Sequence, residues 1–233
     1  MPTHNKRILP ATGTPLLDVN AAAACLMSGG LVLYPTETYY ALGCLANDTA
    51  AVENIYMIKA RQRSHPLPMV AASQEQVAML ASLEAIPARL LRFWPGPLTL
   101  LLPRDAHSGL APQLASDEGL IAIRVSSHPL VRKLCAVTRF PLTASSANIS
   151  GCPPARTSEE LAAPLLRHLL EHAPNSGVLA LESDQDIPSG GLPSTIVRLL
   201  DDQRLIILRQ GAISIQCLQK TGFTCIVDAH ATA

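Results

Sequence analysis

The sequence has few aromatic residues and no excess of either charge. Only 3% of its 233 residues are Phe, Trp or Tyr, so aliphatic side chains must build the core. Lys and Arg total 18, Asp and Glu also total 18, and the formal net charge is zero. Proteins that bind nucleic acid through their overall charge are usually basic. Any attraction for anions must therefore come from local clusters of cations.

The chain also lacks the usual signs of a zinc site or a membrane segment. None of its six cysteines is spaced CxxC, and no histidine stands at metal-ligand spacing from one. Scattered cysteines are typical of reduced, buried thiols in a cytosolic protein. No apolar run reaches membrane-spanning length, and no signal-peptide core follows the N-terminus. We therefore predict a cytoplasmic location, no metal ligands and no membrane association.

Three common site motifs are missing as well. The sequence contains no GxxxxGK[ST] loop, no GxGxxG loop and no GxSxG elbow. The two usual glycine-rich loops for nucleotides are thereby excluded. Composition alone leaves a Ser-His-Asp triad open.

Apolar runs alternate with helix-like segments along most of the chain. Helix starts are indicated at Asp18, at Asp48 or Thr49, at Ser73 and at His128. A further helix is indicated near Thr157, with a late start or a bend because of Pro164. The predicted strands are 31–34, 67–72, 98–102, 120–125, 141–144, 178–181, 195–199 and 205–208. This alternation predicts a single α/β domain with an open mixed sheet flanked by helices. We assign 1–17 to a flexible lead-in, 18–213 to the domain and 214–233 to a tail.

Two polar segments lie where predicted elements end. Lys59, Arg61 and Arg63 follow a helix, and Pro66 and Pro68 restrain the chain behind them. Such a cluster suits phosphate oxygens, although a solvated helix end is the commoner explanation. Segment 145–151, Ser-Ser-Ala-Asn-Ile-Ser-Gly, offers small donors that let a backbone approach a ligand closely. Together the two segments indicate a site for a phosphate-bearing anion.

Other candidates stand at the carboxyl ends of strands, where α/β sheets bind ligands. Thr36, Glu37 and Thr38 follow the first strand, but they also suit a turn that satisfies its own backbone. Arg124 could clamp a carboxylate or form a structural ion pair. Arg209 ends the last strand. The length of loop 103–119 suggests a lid or another functional loop rather than a plain connector.

In this order, several motifs resemble the YrdC/TsaC family of threonylcarbamoyl-AMP synthases. They are Leu33-Tyr-Pro-Thr-Glu-Thr38, Lys59-x-Arg61, Phe93-Trp-Pro-Gly-Pro-Leu-Thr99, Ala122-Ile-Arg124, Ser145-Ser-Ala-Asn-x-Ser-Gly151, Ser194-Thr-Ile-Val197 and Leu208-Arg-x-Gly211. The resemblance covers residues 18–213. It implies a twisted mixed sheet with a concave basic groove.

The resemblance also implies a reaction and a set of roles. L-threonine and bicarbonate would give N-carboxythreonine, which attacks the α-phosphate of ATP, with Mg²⁺ carried largely by the nucleotide. Downstream transferase proteins would then modify ANN-decoding tRNAs. The implied catalytic residues are Lys59 and Arg61. The implied ATP contacts are Lys59, Arg61, Arg63, Ser145, Asn148, Arg156 and Arg209. The implied threonine contacts are Thr36, His65, Arg124, Ser146 and Ser194.

One departure and two alternatives accompany this interpretation. The family usually has glycine where this chain has Ala41, which puts the local turn geometry in question. A double-stranded RNA or tRNA-binding module is one alternative, and weak RNA binding is compatible with the synthase, but the zero net charge argues against RNA binding as the main role. A carbamoyl-handling enzyme of the same fold is the other, although such proteins usually carry acylphosphatase-like and zinc-finger segments.

Overall fold

The computed structural model describes residues 8–9, 12–62, 66–149 and 153–228. Its strands are β1 (Ile8–Leu9), β2 (Thr14–Leu17), β3 (Val32–Pro35), β4 (Tyr40–Gly43), β5 (Met69–Ala71), β6 (Leu98–Pro103), β7 (Leu120–Val125), β8 (Leu142–Thr143), β9 (Ser145–Ser146), β10 (Gly177–Leu179), β11 (Thr195–Leu199), β12 (Arg204–Arg209) and β13 (Thr224–Val227). Its α-helices are α1 (Val19–Met27), α2 (Thr49–Ile58), α3 (Gln74–Ala78), α4 (Ala88–Leu91), α5 (Pro129–Thr138), α6 (Ala163–His172) and α7 (Ile215–Lys220). The mixed α/β class is confirmed.

The strands form two sheets where the sequence suggested one. The six-stranded sheet has the order β1-β2-β10-β3-β4-β9, and the seven-stranded sheet has the order β13-β12-β11-β6-β7-β5-β8. The sheets meet where the chain leaves β8 and enters β9 after a single residue, Ala144. The same junction is bonded from the other side, because Cys44 accepts from Thr143 N–H just beyond β4. Short strands at this crossing carry too few residues for a sequence pattern to separate the sheets.

Side-chain oxygens cap the first two long helices as the sequence predicts. Asp18 accepts from Ala21 N–H at 2.8 Å, and Asp48 accepts from Ala51 N–H at 2.9 Å. These bonds satisfy backbone donors that have no partner within the helix. Helix α6 starts at Ala163 with Pro164 in its first turn, which confirms the expected late start.

Two apolar clusters hold the layers together. Helices α1 and α5 pack on each other and on the six-stranded sheet, burying Leu26, Tyr34 and Leu134. The larger cluster lies against the seven-stranded sheet and includes Ile55 of α2 and Ile121 and Ile123 of β7. Since residues alternate along a strand, Ala122 and Arg124 point to the opposite face of that sheet. The face that carries Ala122 and Arg124 is therefore the one on which a ligand site can form.

Secondary structure extends beyond the boundaries that the sequence suggests for the domain, 18–213. The lead-in contains β2, which pairs in parallel with β10. The tail contains α7 and β13, and β13 pairs in parallel with β12. Within loop 103–119, Leu110 and Leu114 are buried, and Tyr56 of α2 donates to Gln113 O at 3.1 Å, so this part of the loop packs against α2. These segments gain their order from long-range pairing, which no local sequence pattern reports.

Candidate active site

A cavity of about 180 Å³ lies where the two sheets meet. The open face of the seven-stranded sheet forms one wall, and the edge of the six-stranded sheet around β4 and β9 forms another. The cavity is lined by Thr36, Thr38, Tyr39, Tyr40, Ala41, Arg61, Pro66, Pro68, Ala122, Arg124, Ala144, Ser145, Ser146, Pro193, Ser194, Ile196 and Arg209. Seven of the predicted site residues are in this set: Thr36, Arg61, Arg124, Ser145, Ser146, Ser194 and Arg209.

The end of helix α2 brings Arg61 into the lining of this cavity and places Lys59 against Ser146, another lining residue. The helix ends with Ala60 in the left-handed region at φ 44°, and Arg61 N–H donates back to Tyr56 O at 3.0 Å. This closing turn usually uses glycine, so the backbone makes a defined bend at some cost in strain. The Lys59 ammonium donates to the backbone oxygen of Ser146 and lies 3.4 Å from Ser146 Oγ. Lys59 therefore bridges the helix end to β9 rather than standing in solvent.

Arg209 is held by a neutral partner at the end of β12. Its Nε and Nη2 donate to Ser194 O at 3.1 and 2.8 Å, and Nη2 also lies 3.1 Å from Ser194 Oγ. Thr99 Oγ1 donates to the same serine hydroxyl at 3.0 Å. Ser194 and Arg209 are thus fixed together, although 15 positions separate them in the chain.

Arg124 has a carboxylate partner instead. Its Nε donates to Glu37 Oε1 at 2.8 Å, and the side chains of Arg124 and Glu37 are only 6% and 11% exposed. Ser126 Oγ donates to the other carboxylate oxygen at 2.5 Å. Burial by itself would raise the pKa of Glu37, but the Arg124 charge and these hydrogen bonds outweigh it and lower that pKa below its usual range. The Glu37 carboxylate is therefore charged at neutral pH.

The remaining cations perturb one another. Burial, and then the nearby charge of Arg61, lowers the pKa of Lys59 to about 8. Burial, followed by Arg124 and Arg61, lowers the pKa of Arg209 to about 10. Positive charges close together in a partly buried cavity disfavour each other's protonated form. An anion that entered this cavity would relieve that repulsion.

Small hydroxyl groups line the cavity between the cations. Ser145 is 2% exposed, and its Oγ has no hydrogen-bond partner within the described part of the chain. A buried hydroxyl without a partner costs free energy unless something else satisfies it. Thr36 Oγ1, by contrast, already donates to Tyr39 O at 2.7 Å. Ser145 is thus the hydroxyl best placed to gain a bond from a ligand.

Three predicted residues of the described structure are not among those that line the cavity: Lys59, Asn148 and Arg156. Asn148 is half-buried just beyond β9. Arg156 is exposed, and its Nε donates to Pro188 O at 3.0 Å. Arg63 and His65 lie outside the described residues.

Sequence reasoning missed Glu37 as a partner of Arg124. It also missed the apolar lining, including Ala122, Ala144 and Ile196. One signal was available for Ala122, because it precedes Arg124 by two positions on a strand and must share its face. No signal pairs Glu37 with Arg124, which lie 87 positions apart.

The departure at Ala41 needs no special backbone. Ala41 lies within β4, paired with Tyr34 and Ser146, and among the described residues only Ala60 and Arg139 are non-glycine residues with positive φ. Its methyl group therefore adds a small apolar surface to the cavity without straining the turn.

A family model for the Sua5, YciO and YrdC proteins, described as "Telomere recombination", matches residues 24–211. The chain belongs to the Sua5/YciO/YrdC family. The match includes every cavity-lining residue, from Thr36 to Arg209.

Two threonylcarbamoyl-AMP synthases are similar to the chain in sequence. The threonylcarbamoyl-AMP synthase of Chromohalobacter salexigens is 41% identical over 144 residues, which are 61% of this chain and 77% of that protein. The threonylcarbamoyl-AMP synthase of Xylella fastidiosa is 35% identical over 181 residues, which are 75% of this chain and 95% of that protein.

A solved structure of the Sua5/YciO/YrdC family has the same fold. The crystal structure of P. abyssi Sua5 complexed with L-threonine is 30% identical to the chain, with a TM-score of 0.72. The superposition covers 89% of this chain and 58% of that one, so the chain spans little more than half the length of P. abyssi Sua5.

Proposed function

We propose that this chain synthesises threonylcarbamoyl-AMP from L-threonine, bicarbonate and ATP, and releases pyrophosphate. The observation that carries the proposal is the convergence of Lys59, Arg61, Arg124 and Arg209 around one cavity in a chain of zero net charge. The relatives named threonylcarbamoyl-AMP synthase and the threonine complex of P. abyssi Sua5 support it. The product would serve tRNA threonylcarbamoyladenosine modification of ANN-decoding tRNAs.

The proposed reaction requires the protein to position the two substrates and to neutralise the charge of the phosphates. It does not require a protein nucleophile. The threonine amine and bicarbonate condense to a carbamate and water. A carbamate oxygen then attacks the α-phosphorus of ATP, the bond to the bridging oxygen breaks, and pyrophosphate leaves with that electron pair. Negative charge grows on the phosphoryl oxygens, so fixed cations stabilise the transition state.

The proposed site residues fall into two groups, one for ATP and one for threonine. Lys59 and Arg61, with Arg63 beside them in sequence, bind the phosphates and serve as the catalytic residues. Ser145 and Arg209, with Asn148 and Arg156 as outer contacts, bind the rest of the nucleotide. Arg124 binds the threonine carboxylate, and Thr36, Ser146 and Ser194 line the same cavity as further threonine contacts. His65, outside the described residues, is proposed as a threonine contact from the sequence resemblance alone.

The donor set of the cavity fits a polyphosphate better than a metal ion held by the protein. Its charged groups are cations, apart from Glu37, whose two oxygens are already bonded to Arg124 and Ser126. Among the described residues, no group of three His, Cys, Asp or Glu side chains could ligate a metal. We therefore assign Mg²⁺ to the phosphates of ATP, where it would neutralise part of their charge.

Two further proposals concern where and with what the chain works. No helix in the described ranges is long and apolar enough to cross a bilayer. We place the reaction in the cytoplasm, where transferase proteins would take up threonylcarbamoyl-AMP and modify tRNA. Direct RNA binding by this chain would at most be weak, because no general basic charge supports it.

Pyrophosphate release tests the proposed reaction. The purified chain is incubated with ATP, Mg²⁺, L-threonine and bicarbonate, and each component is then omitted in turn. Release should require both threonine and bicarbonate. Release that is independent of either one, or a complete lack of release, contradicts the proposed function.

A further inference from the structure

We propose that Glu37 is a positioning residue, which holds Arg124 by its Nε edge so that the terminal guanidinium nitrogens present themselves to the carboxylate of L-threonine. This inference rests on the proposed function, because it concerns the residue assigned to threonine. It gives the Thr-Glu-Thr turn a defined part in substrate recognition.

The geometry of the pair leaves one edge of Arg124 for a ligand. A guanidinium is planar and has five donors in a fixed fork. Glu37 takes the Nε donor, while the terminal nitrogens have no hydrogen-bond partner within the described residues. Arg124 lines the cavity and its side chain is 6% exposed, so those nitrogens have little room to turn elsewhere. A bidentate bond to a second carboxylate fits that edge.

The Glu37 carboxylate is itself held by hydrogen bonds at both oxygens. This favours a role in positioning Arg124 over a role as a general base. Oε1 accepts from Arg124, and Oε2 accepts from Ser126 Oγ at 2.5 Å. Ser126 Oγ in turn accepts from His128 N–H at 3.2 Å, at the start of α5. With both oxygens engaged and its pKa lowered, Glu37 is not placed to take a proton from the threonine amine.

The backbone of the turn is anchored independently of this carboxylate. Ser189 donates to Glu37 O through its N–H at 3.2 Å and its Oγ at 2.7 Å. Thr36 N–H donates to Tyr39 O at 3.0 Å and closes the turn. Removing the charge of Glu37 should therefore release Arg124 without unfolding the turn.

The test is L-threonine binding by calorimetry together with steady-state kinetics of pyrophosphate release. Glu37→Gln keeps the side-chain shape but removes the charge. We expect it to weaken threonine binding and raise the KM for threonine about tenfold, because it loses charge-assisted hydrogen bonds. The KM for ATP should stay within about twofold, because the Lys59 and Arg209 contacts are unchanged. Glu37→Asp should recover part of the loss.

Glu118→Gln is a matched control. Glu118 accepts from Arg198 Nη1 at 2.8 Å, the same distance, but the Arg198 and Glu118 side chains are 40% and 66% exposed. It should leave both KM values unchanged. If Glu37→Gln lowers the unfolding temperature too far for kinetics, Ser126→Ala is the second variant. It removes the bond to Oε2 and the acceptor for His128 N–H but leaves the Glu37–Arg124 bond in place, and it should raise the threonine KM selectively by a smaller factor.

The outcomes separate this inference from the proposed function. If the wild type binds threonine and releases pyrophosphate, and Glu37→Gln binds threonine equally well, the positioning role is wrong and the function stands. Equal rises in the KM for threonine and ATP would also overturn it, because they indicate a general structural role. If the wild type neither binds threonine nor releases pyrophosphate, the proposed function fails and this inference fails with it.

Discussion

Arg124 and Arg209 line the same cavity, yet the protein holds them by opposite means. Arg124 donates to a buried carboxylate, so its charge is largely balanced before any ligand arrives. Arg209 donates to the backbone oxygen of Ser194, and Lys59 to that of Ser146, so the acceptor in each of these bonds is neutral and does not balance the positive charge. An oriented but balanced cation suits a single carboxylate, whereas unbalanced cations suit the several charges of a triphosphate.

The largest effect is expected where an unbalanced cation is removed. Lys59→Met keeps the side-chain length and should lower the rate of pyrophosphate release by about 100-fold, as the loss of a fixed transition-state donor does. Its unfolding temperature should change by no more than about 4 °C, since one hydrogen bond is lost. Lys220→Met, at the exposed end of α7, is the control and should behave as the wild type. A Lys59→Met variant with wild-type turnover would remove Lys59 from the phosphate site.

A crossed pair of substitutions tests the comparison directly. Arg124→Lys and Arg209→Lys keep the charge but lose the planar fork. Arg124→Lys should raise the KM for threonine about tenfold with little change for ATP, because orientation is what Glu37 provides. Arg209→Lys should mainly raise the KM for ATP, and by a smaller factor, because its charge remains. If steady-state kinetics gave the same changes in the two KM values for both variants, the proposed difference between Arg124 and Arg209 would be contradicted.

The pKa of Lys59 makes nucleotide binding depend on pH. Its value of about 8, against an ordinary 10.5, means that the free protein loses this charge as the pH rises past 8. A bound polyphosphate favours the ammonium form, so binding at pH 8 to 9 should take up a proton and weaken as the pH rises. Calorimetry of an ATP analogue in buffers of different ionisation enthalpy measures that uptake. The uptake should vanish in Lys59→Met, and an unchanged uptake there would assign it to another group.

The same shift has a consequence for stability with a definite sign. Because the folded-state pKa lies below the ordinary value, the unfolded chain binds more protons between about pH 8 and 10.5. The contribution of Lys59 to the free energy of unfolding therefore increases as the pH rises through that window.

The smallest expected effect concerns two serines of the cavity whose hydroxyl groups differ in their hydrogen bonding. Ser145 Oγ is buried without a partner, whereas Ser194 Oγ is bonded to Thr99 and Arg209. Ser145→Ala should leave the free energy of unfolding unchanged or raise it by about 1 kcal/mol, and weaken nucleotide binding several-fold. Ser194→Ala should lower the free energy of unfolding by about 1 kcal/mol. Denaturant unfolding and ligand titration of both variants check this, and equal losses of stability would contradict it.

Much of this site follows from local sequence chemistry, and the rest from contacts between distant segments. Asp18 and Asp48 could be predicted as helix N-caps because a capping side-chain oxygen bonds a backbone N–H only three residues later in the chain. Arg124 and Arg209 could be placed at strand ends because an unbroken apolar run precedes each. The contact between Glu37 and Arg124 could not be predicted, since it depends on how two sheets come together.

The tail illustrates the same limit. Residues 224–227 carry no alternating pattern that marks a strand, and only pairing with β12 gives them that structure. Lys59 is a further case: its place at a helix end was predicted correctly, but the contact that turns it inward comes from Ser146, 87 positions away.

The tail strand β13 also bears on how the chain can be shortened. A variant that stopped at Gly211, where the family match ends, would turn β12 into an edge strand along Arg204–Ile207. It would also remove Phe223, whose buried ring lies 4.4 Å from the Arg89 guanidinium carbon. A newly bared edge of unpaired N–H and C=O groups is a template for aggregation. Strand β13, which carries none of the proposed chemistry, thus covers an edge of the strand that ends in Arg209.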